Sequence, residues 1–424
     1  MKIVCFGPGP QFKGGIANYN TSLAKALDHQ GHQVTIVSWT QQYPAIIPRD
    51  FIDRASRSDQ LEGTQIRVRY ITNYNNPATW RETIRAISEL TPDAVIFQWA
   101  IAIQGLPLGR IAAGLKKRSI RVVFDLHFVI QKEHSSLDKF FSKYALRHAD
   151  MFVTHALKTF DELKVIFPDK SFALINDQQS LDGTTPVLNL YHPVYDMFVK
   201  KSDFDIEAFK ILHGLKKHVF IFFGFIRKYK GLHDAISAFK LLSEQREDVS
   251  LLICGESFWK TIDQKKLSSK IKSGLFGIAK KVFLRRKDDE QDYDPLQLIS
   301  TLHVKDVKVF NEFIPNEDVH QYFQASDAVL LFYEYATPSG VESIAYNFQM
   351  PLLATAVGHF PETVRSGFNG YLARPGDIAD MARIMDLSIR QPIDREHVAE
   401  TTRHMSWDNY ATRIIESLSL LSDC

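Results

Sequence analysis

Short runs of β-branched and aromatic residues alternate with helical patterns along the chain. In the first half these runs predict strands, which we place at residues 2–6, 33–38, 66–71, 94–98, 121–126 and 151–154. Between the first two strands, apolar residues from Ile16 to Leu27 recur at helical spacing, and Gly31 follows as a helix cap. Strands that alternate with helices in this way predict a parallel sheet covered by helices.

The same alternation restarts near residue 218. A helix is predicted at residues 231–243, and the strands of this second set are placed at residues 218–223, 249–253, 307–310, 328–332 and 351–355. Two successive sets predict an α/β protein with two doubly wound, Rossmann-like domains. Pro193 disfavours regular structure, so we place the linker near residues 193–205.

Length and composition agree with this organisation. A chain of 424 residues is long enough for two or three domains, and a formal net charge of +2 gives no overall attraction to nucleic acid. The three cysteines, Cys5, Cys254 and Cys424, have neither disulfide-framework nor metal-ligand spacing. No apolar run reaches the roughly 18 residues of a membrane span, and the N-terminus resembles a strand more than a signal peptide. We therefore expect a cytoplasmic protein.

One segment departs from the alternation. Residues 260–287 hold ten Lys or Arg residues and one acidic residue, Asp263, with apolar residues interleaved. A basic amphipathic segment of this kind can lie on an anionic membrane surface, which would place the protein at the inner face of the membrane. The alternative is a solvated surface insertion that packs on its own domain. The acidic residues at 288–294 are interpreted as a solvated loop and not as a metal site.

The loop after the first strand is a candidate anion site. It contains Gly7 and Gly9 and ends in Gly14 and Gly15, just before the first predicted helix. Amides at a helix N-terminus suit a phosphate group when no Cβ atom blocks the approach. The second strand ends in Val37-Ser38-Trp39 without a carboxylate, which disfavours an NAD or FAD enzyme. A tight turn without a ligand remains the alternative.

The loop after the first strand of the second set carries cations. Residues 224–231 read GFIRKYKG, so Arg227 and Lys230 follow a buried strand and lie between Gly224 and Gly231. Open α/β sheets bind ligands at the carboxyl ends of their strands. Fixed cations at this edge could neutralise a diphosphate leaving group. Two cations on a loop are often only solvated charge, but their position after a buried strand and between two glycines favours the functional interpretation.

A third segment, residues 336–342, reads ATPSGVE and leads into another predicted helix. Its small residues again expose amides toward an anion. Further on, residues 351–362 end in Gly358-His359-Phe360-Pro361-Glu362 at another strand-to-helix turn. Glu362 could act at the cleft, or it could simply be a carboxylate that a helix N-terminus favours.

Taken in order, these motifs resemble the retaining GT-B glycosyltransferases of family four, also called glycosyl transferases group 1. The shared features are the paired glycines, the segments at 224–231 and 336–341, the segment at 351–362, and the glycines and acid at 367–377. They extend over residues 1 to about 410. The resemblance implies a GT-B fold with the active site between two Rossmann-like domains.

The resemblance also implies roles for individual residues. Arg227 and Lys230 would bind the donor diphosphate, and His127 would face the donor sugar; these are our catalytic candidates. His134, Thr337 and Glu362 are further cleft candidates. The residues expected to contact the donor are Gly14, Gly15, Gly224, Ser339, Gly340, Val341, Glu342 and Glu334.

One feature departs from the family pattern. The family often carries two glutamates eight positions apart, and Glu334 and Glu342 have that spacing. Counted back from Pro351, however, the usual positions hold Ala336 and Ile344. A shift of two residues turns a helical side chain by about 200°. The sequence therefore leaves open whether Glu334 and Glu342 act on the sugar and the ribose.

The resemblance implies a retaining, metal-independent glycosyltransferase without a cofactor. Its donor would be a UDP- or GDP-linked sugar and its acceptor a glycan or a lipid-linked glycan, as in cell-surface polysaccharide or glycolipid synthesis. Residues 1–197 would bind the acceptor, residues 198–405 the donor, and residues 406–424 would form a helix that crosses back to the first domain. The alternatives are a nucleotide-sugar epimerase or hydrolase, and a protein that binds a nucleotide sugar without catalysis.

Overall fold

The computed structural model describes residues 1–43, 51–57, 59–129, 136–175, 183–257, 293–338 and 340–421. The first half of the chain forms one parallel sheet. Its strands run in the order β3-β2-β1-β4-β5-β6-β8-β7, and every neighbouring pair is parallel. They are β1 (Lys2–Phe6), β2 (Gln33–Gln41), β3 (Arg67–Asn73), β4 (Ala94–Trp99), β5 (Arg121–Leu126), β6 (Met151–Thr154), β7 (Phe172–Leu174) and β8 (Thr185–Asn189).

Helices connect the strands of this sheet. They are α1 (Gly15–His29), α2 (Pro77–Glu89), α3 (Gly105–Lys116), α4 (Ser136–Leu146) and α5 (Leu157–Ile166), and a 3₁₀ turn at Ala102–Gln104 precedes α3. The central strands β4 and β5 are apolar and nearly completely buried, as expected of a parallel sheet with both faces covered. Cys5 lies buried within β1.

The second half forms a parallel sheet of its own, in the order β11-β10-β9-β12-β13-β14. Its strands are β9 (His218–Phe223), β10 (Val249–Cys254), β11 (Val307–Phe310), β12 (Ala328–Leu331), β13 (Leu352–Thr355) and β14 (Gly370–Ala373). Numbered from β9, this is the Rossmann order 3-2-1-4-5-6. The first sheet has the same order with two strands added at one edge.

Helices also flank the second sheet, and those that begin at Leu232 and Gly340 position the candidate site. The helices are α6 (Ile206–His213), α7 (Leu232–Ser243), α8 (Gln297–Thr301), α9 (Val319–Gln324), α10 (Gly340–Asn347), α11 (Phe360–Thr363), α12 (Ile378–Arg390), α13 (Arg395–Thr402) and α14 (Trp407–Leu420). Residues 190–205, all described, form no helix or strand. Helix α14 packs against α1, where the Gln30 amide donates to the Asp408 carbonyl oxygen over 2.7 Å.

The predicted α/β fold with two Rossmann-like domains is confirmed. Three short strands were not predicted. Strand β7 has three half-buried residues, and β8 contains Pro186, a residue that usually argues against a strand interior. Strand β14 begins with Gly370 at the edge of its sheet. In each case the local pattern was too short or too irregular to indicate a strand.

Candidate active site

The candidate site begins at the two positions where strand order reverses. In the first sheet this position lies between β1 and β4, and in the second between β9 and β12. A ligand can enter a doubly wound sheet at such a switch point, because the two adjoining connections leave toward opposite faces. The predicted glycine-rich and cationic loops follow β1, β9 and β12, so the topology places each of them at a switch point.

Helix α1 opens the site on the N-terminal side. Gly14 precedes it with a φ angle of 104°, which favours glycine, and the first helical hydrogen bond runs from the Ala17 amide to the Gly14 carbonyl oxygen over 3.1 Å. The amides of Gly15 and Ile16 therefore precede the helical hydrogen-bond ladder. The hydroxyl of Tyr195 donates to the Gly15 carbonyl oxygen over 2.8 Å and fixes this turn from the linker.

The loop after β9 supplies the cations. Gly231 has a φ angle of 64°, and a Cβ atom there would lie 1.8 Å from the Phe332 carbonyl oxygen, so this turn requires glycine. It leads directly into α7 and fixes the 3₁₀ turn that carries Lys230. Lys230 is only 9% exposed. Burial, reinforced by the charge of Arg227, lowers the pKa of Lys230 to about 8.

The start of α10 joins these loops. A Cβ atom placed on Gly224 would lie 3.0 Å from Lys230 Nζ and 3.4 Å from a methyl group of Val341. A Cβ atom on Gly340 would lie 2.8 Å from the Tyr195 ring, whose hydroxyl binds Gly15. Lys230, Val341 and the starts of α1 and α10 are thus neighbours at one junction between the two sheets.

His127 belongs to a buried polar network at the carboxyl edge of the first sheet. The centre of this network is Asp125 at the end of β5, with its Oδ1 atom 2.8 Å from His155 Nε2 and 3.3 Å from the Tyr410 hydroxyl of α14. Burial is the largest single influence and raises the pKa of Asp125, but His155, His127 and Tyr19 together outweigh it, so the pKa lies below the usual value. An ionised Asp125 can only accept hydrogen bonds.

Gln98 links Asp125 to His127 through hydrogen bonds at both ends of its amide group. Its amide nitrogen lies 3.4 Å from Asp125 Oδ2, and its amide oxygen lies 2.8 Å from His127 Nε2. Because the amide nitrogen faces a carboxylate, the amide oxygen faces His127 and accepts a hydrogen bond from the Nε2–H group. Burial lowers the pKa of His127 to about 4. His127 is therefore neutral at physiological pH, with the unprotonated nitrogen at Nδ1.

The two glutamates have separate surroundings. Glu334 is exposed, and its Oε1 atom lies 3.7 Å from His233 Nε2 of α7. Glu342 is buried in α10, with Oε2 2.5 Å from His359 Nε2 and Oε1 accepting from the Thr363 hydroxyl over 2.9 Å. The carboxylate of Glu342 thus ties α10 to α11. Ala336 and Ile344, at the usual family positions, are buried.

The other cleft candidates are placed as follows. Glu362 of α11 reaches the first half of the chain, where its Oε2 atom accepts from the Leu157 amide at the start of α5 over 3.3 Å. Thr337 is half-buried in the loop between β12 and α10. Ser339, His134 and the basic segment at 260–287 lie outside the described residues.

Several residues of this region escaped the sequence argument. They are Gln98, Asp125, His155, His192, Tyr195 and Tyr410. The Nδ1 atom of His192 lies 2.6 Å from the Ser343 hydroxyl oxygen of α10. A usable signal existed for three of them, since Gln98, Asp125 and His155 are polar residues at the ends of three successive apolar strands. Within the described parts of the chain, no helix has the length and apolarity to cross a membrane.

Two family models match the chain. The model "Glycosyl transferases group 1" matches residues 203–405, and "Glycosyltransferase Family 4" matches residues 13–170. The first of these matches contains the whole second sheet, the other contains β2 to β6 of the first sheet, and together they cover most of the chain. A sequence comparison with curated proteins gave no match.

Solved structures match over nearly the full length. HepE of Anabaena, in a complex with UDP and glucose, is 17% identical with a TM-score of 0.67, covering 99% of both chains. Sucrose-phosphate synthase of Thermosynechococcus elongatus is 14% identical with a TM-score of 0.62, covering 100% of this chain and 99% of that one. The lipopolysaccharide outer core galactosyltransferase WaaB is 15% identical with a TM-score of 0.56, covering 98% and 100%. Family models and fold agree: the chain belongs to the group 1 glycosyltransferases and has their GT-B fold.

Proposed function

We propose that this protein transfers a sugar from a nucleotide diphosphate sugar to an acceptor hydroxyl with retention of anomeric configuration. One observation carries the proposal: Lys230 and the starts of α1 and α10 adjoin at facing switch points of the two sheets. A diphosphate needs both fixed positive charge and unobstructed backbone amides, and this junction offers both.

The donor diphosphate would bind beside Lys230 and Arg227, with Gly224 leaving room for it. Both cations belong to the turn after β9, and Lys230 is held nearly buried. A buried cation meets the developing phosphate charge with little water to screen it, so its stabilisation of the leaving group is strong. The amides around Gly15, Gly340 and Val341 would complete the cradle. HepE, which shares the fold, was solved with UDP and glucose.

The chemical step needs no nucleophilic side chain. The bond from the anomeric carbon to the phosphate oxygen breaks, and the acceptor oxygen bonds to the same face of the carbon. The acceptor proton passes to the departing phosphate oxygen, so charge and atoms balance. We propose that Arg227 and Lys230 supply the positive charge for this step, which makes the reaction metal-independent.

We propose that His127 faces the donor sugar as a neutral hydrogen-bonding group. Its Nε2 proton is engaged by Gln98, so Nδ1 is available to accept from a sugar hydroxyl. A protonated imidazole would instead repel the positive charge that develops at the anomeric carbon. The low pKa of His127 therefore suits this role.

We assign the acceptor to residues 1–197 and the donor to residues 198–405, with residues 406–424 returning to the first domain. The acceptor would be a glycan or a lipid-linked glycan, the class to which the acceptor of a lipopolysaccharide transferase such as WaaB belongs. We propose action in the cytoplasm, in the synthesis of a cell-surface polysaccharide or glycolipid.

A second candidate function is binding of a nucleotide sugar without transfer. It is favoured by Glu342, whose two carboxylate oxygens are engaged by His359 and Thr363. For the transferase, by contrast, we propose that Glu342 only braces α10 against α11 and that transfer does not require it. Loss of turnover with normal folding in Glu342→Gln would contradict that assignment.

A thermal-shift and calorimetric screen against UDP, GDP, ADP and their sugar conjugates tests the donor site. A ligand at 100 times its dissociation constant adds about 2.7 kcal/mol of stability, which raises the melting temperature measurably. The nucleotide that binds then selects the donor for transfer assays with glycan acceptors, in which the configuration of the product is read by NMR. Binding without any transfer would favour the second candidate, and a folded protein that binds none of the nucleotides would contradict both.

A further inference from the structure

Helices α3 and α4 cross so closely that they form one surface. A Cβ atom on Gly105 would lie 2.5 Å from the Phe141 carbonyl oxygen, and one on Gly109 would lie 2.5 Å from the Tyr144 ring. Glycine at both positions lets the two helices approach each other. We call the exposed side of this helix pair, formed by the exposed residues within 102–118 and 138–148, the α3–α4 face.

Large apolar side chains are exposed on the α3–α4 face. Phe140 is 59% exposed, Leu106 is 42% exposed and Ile103 is 36% exposed. Phe140 continues into an aromatic row, since its ring lies 6.3 Å from that of Tyr144, and the Arg147 guanidinium lies 4.7 Å from the Tyr144 ring. Apolar side chains beside an aromatic hydroxyl and a cation match the polarity gradient of a lipid headgroup region.

The charge of the α3–α4 face is strongly one-sided. Its two segments contain seven Lys or Arg residues and one acidic residue, Asp138, whereas the whole chain has 51 basic and 49 acidic residues. Arg110, Lys139 and Lys143 are among the exposed cations. At the far end of α3, Lys116 pairs with Asp150 over 2.7 Å. The face therefore combines exposed apolar groups with local positive charge in a nearly neutral protein.

Exposure alone does not distinguish this face. Ile211 and Leu212 of α6 are 79% and 76% exposed, but residues 200–217 around them contain five basic and three acidic residues. Of these two surfaces, the α3–α4 face combines exposed apolar side chains with charge of nearly one sign, and the surface around α6 does not. This contrast points to an anionic partner and provides a matched control.

We propose that the α3–α4 face docks on an anionic lipid bilayer. Phe140, Leu106 and Ile103 enter the headgroup boundary, and the surrounding cations bind lipid phosphates. Helix α3 follows β4 and α4 follows β5, so both begin at the sheet edge that carries His127. Docking therefore holds the N-terminal side of the cleft close to the lipid surface. The surface is distinct from residues 260–287, and the inference does not depend on the proposed sugar transfer.

Vesicle co-sedimentation of the full chain tests the proposal, with vesicles of phosphatidylcholine alone and of phosphatidylcholine mixed with phosphatidylglycerol. We expect binding to the acidic vesicles only, weakened by salt because the attraction is screened. Phe140→Ser should lower the partition coefficient about tenfold, because it removes a side chain that lipid would bury. Lys139→Glu combined with Lys143→Glu should lower it at least about tenfold.

Ile211→Ser is the matched control, because it removes a more exposed apolar side chain from α6. Its binding should equal that of the wild type, and melting temperatures of all variants verify that they fold. The proposal is overturned if Phe140→Ser binds acidic vesicles as the wild type does, if Ile211→Ser loses binding equally, or if neutral vesicles bind as well as acidic ones. Selective binding of nucleic acid with no binding to vesicles would also overturn it.

Discussion

The carboxyl edges of the two sheets face each other, and their polar groups have different surroundings. On the C-terminal side, Lys230 and Arg227 stand in a short turn, and the pKa of Lys230 is lowered to about 8 by burial and by Arg227. On the N-terminal side, hydrogen bonds join Asp125, His155, Tyr410, Gln98 and His127 in a buried network. On the C-terminal side the buried ammonium of Lys230 would be stabilised by an anionic ligand, whereas on the N-terminal side the charge of Asp125 is used in internal hydrogen bonds.

This difference indicates that the two edges have different roles. Burial and the like charge of Arg227 disfavour the charged form of Lys230, so an anionic ligand gains most beside Lys230 in the turn after β9. The N-terminal network instead orients His127 and holds α14 to the first sheet through Tyr410. Substitutions in the turn after β9 should therefore lower turnover, and substitutions in the N-terminal network should lower stability.

The largest effect is expected at Lys230. Lys230→Ala should lower turnover by about two to three orders of magnitude without lowering the melting temperature, because it removes a charge that stabilises the leaving diphosphate. Lys228→Ala, in the same 3₁₀ turn, is the matched control and should retain most activity. Equal turnover of Lys230→Ala and the control would remove the cationic turn from the mechanism.

Next in size is Asp125→Asn, which tests the network. It should lower the free energy of unfolding by about 3 kcal/mol in denaturant titrations, since His155 and Tyr410 both lose a buried carboxylate as their hydrogen-bond acceptor. Tyr410→Phe removes only one hydrogen-bond donor to Asp125 and should cost about 1 kcal/mol. If Asp125→Asn were as stable as the wild type, the network could not be what holds α14 in place.

A pH titration sharpens the contrast at Lys230. Below a pKa of about 8 the ammonium is charged, and above it the charge is lost. The KM for the donor should therefore rise by up to about tenfold from pH 7 to pH 9, while the diphosphate stays fully ionised. Lys230→Arg keeps its charge and should flatten the profile. An unchanged slope in Lys230→Arg would assign the pH dependence to another group.

The smallest effect is expected at the linker. Tyr195→Phe loses the hydrogen bond to the Gly15 carbonyl oxygen and should weaken donor binding by about fivefold, corresponding to about 1 kcal/mol, with little effect on folding. Titration calorimetry measures it. An affinity equal to that of the wild type would show that the start of α1 is positioned without Tyr195.

The same contrast explains what the sequence could predict. Arg227, Lys230 and the glycines could be proposed from the sequence because a strand, a turn and a helix lie within a few residues of one another, and parallel strands bring such loops to one edge. The alternation of elements likewise predicted both sheets. Strand β8 was missed because Pro186 interrupts its pattern.

The network could not be found in this way. Tyr410 reaches Asp125 across 285 positions of sequence, and no local pattern encodes that approach. Glu342 shows the same limit, because its partners His359 and Thr363 belong to the next loop and helix. Its spacing from Glu334 indicated a pair of glutamates, yet their side chains bind different parts of the domain.

The most direct test of the account is the difference in affinity between a nucleoside diphosphate and the matching monophosphate, measured by calorimetry on the wild type and on Lys230→Ala. The account predicts that the wild type prefers the diphosphate and that Lys230→Ala loses most of this preference while still binding the monophosphate. A preference for the diphosphate that survives intact in Lys230→Ala would contradict the claim that the cationic turn after β9 binds the leaving group.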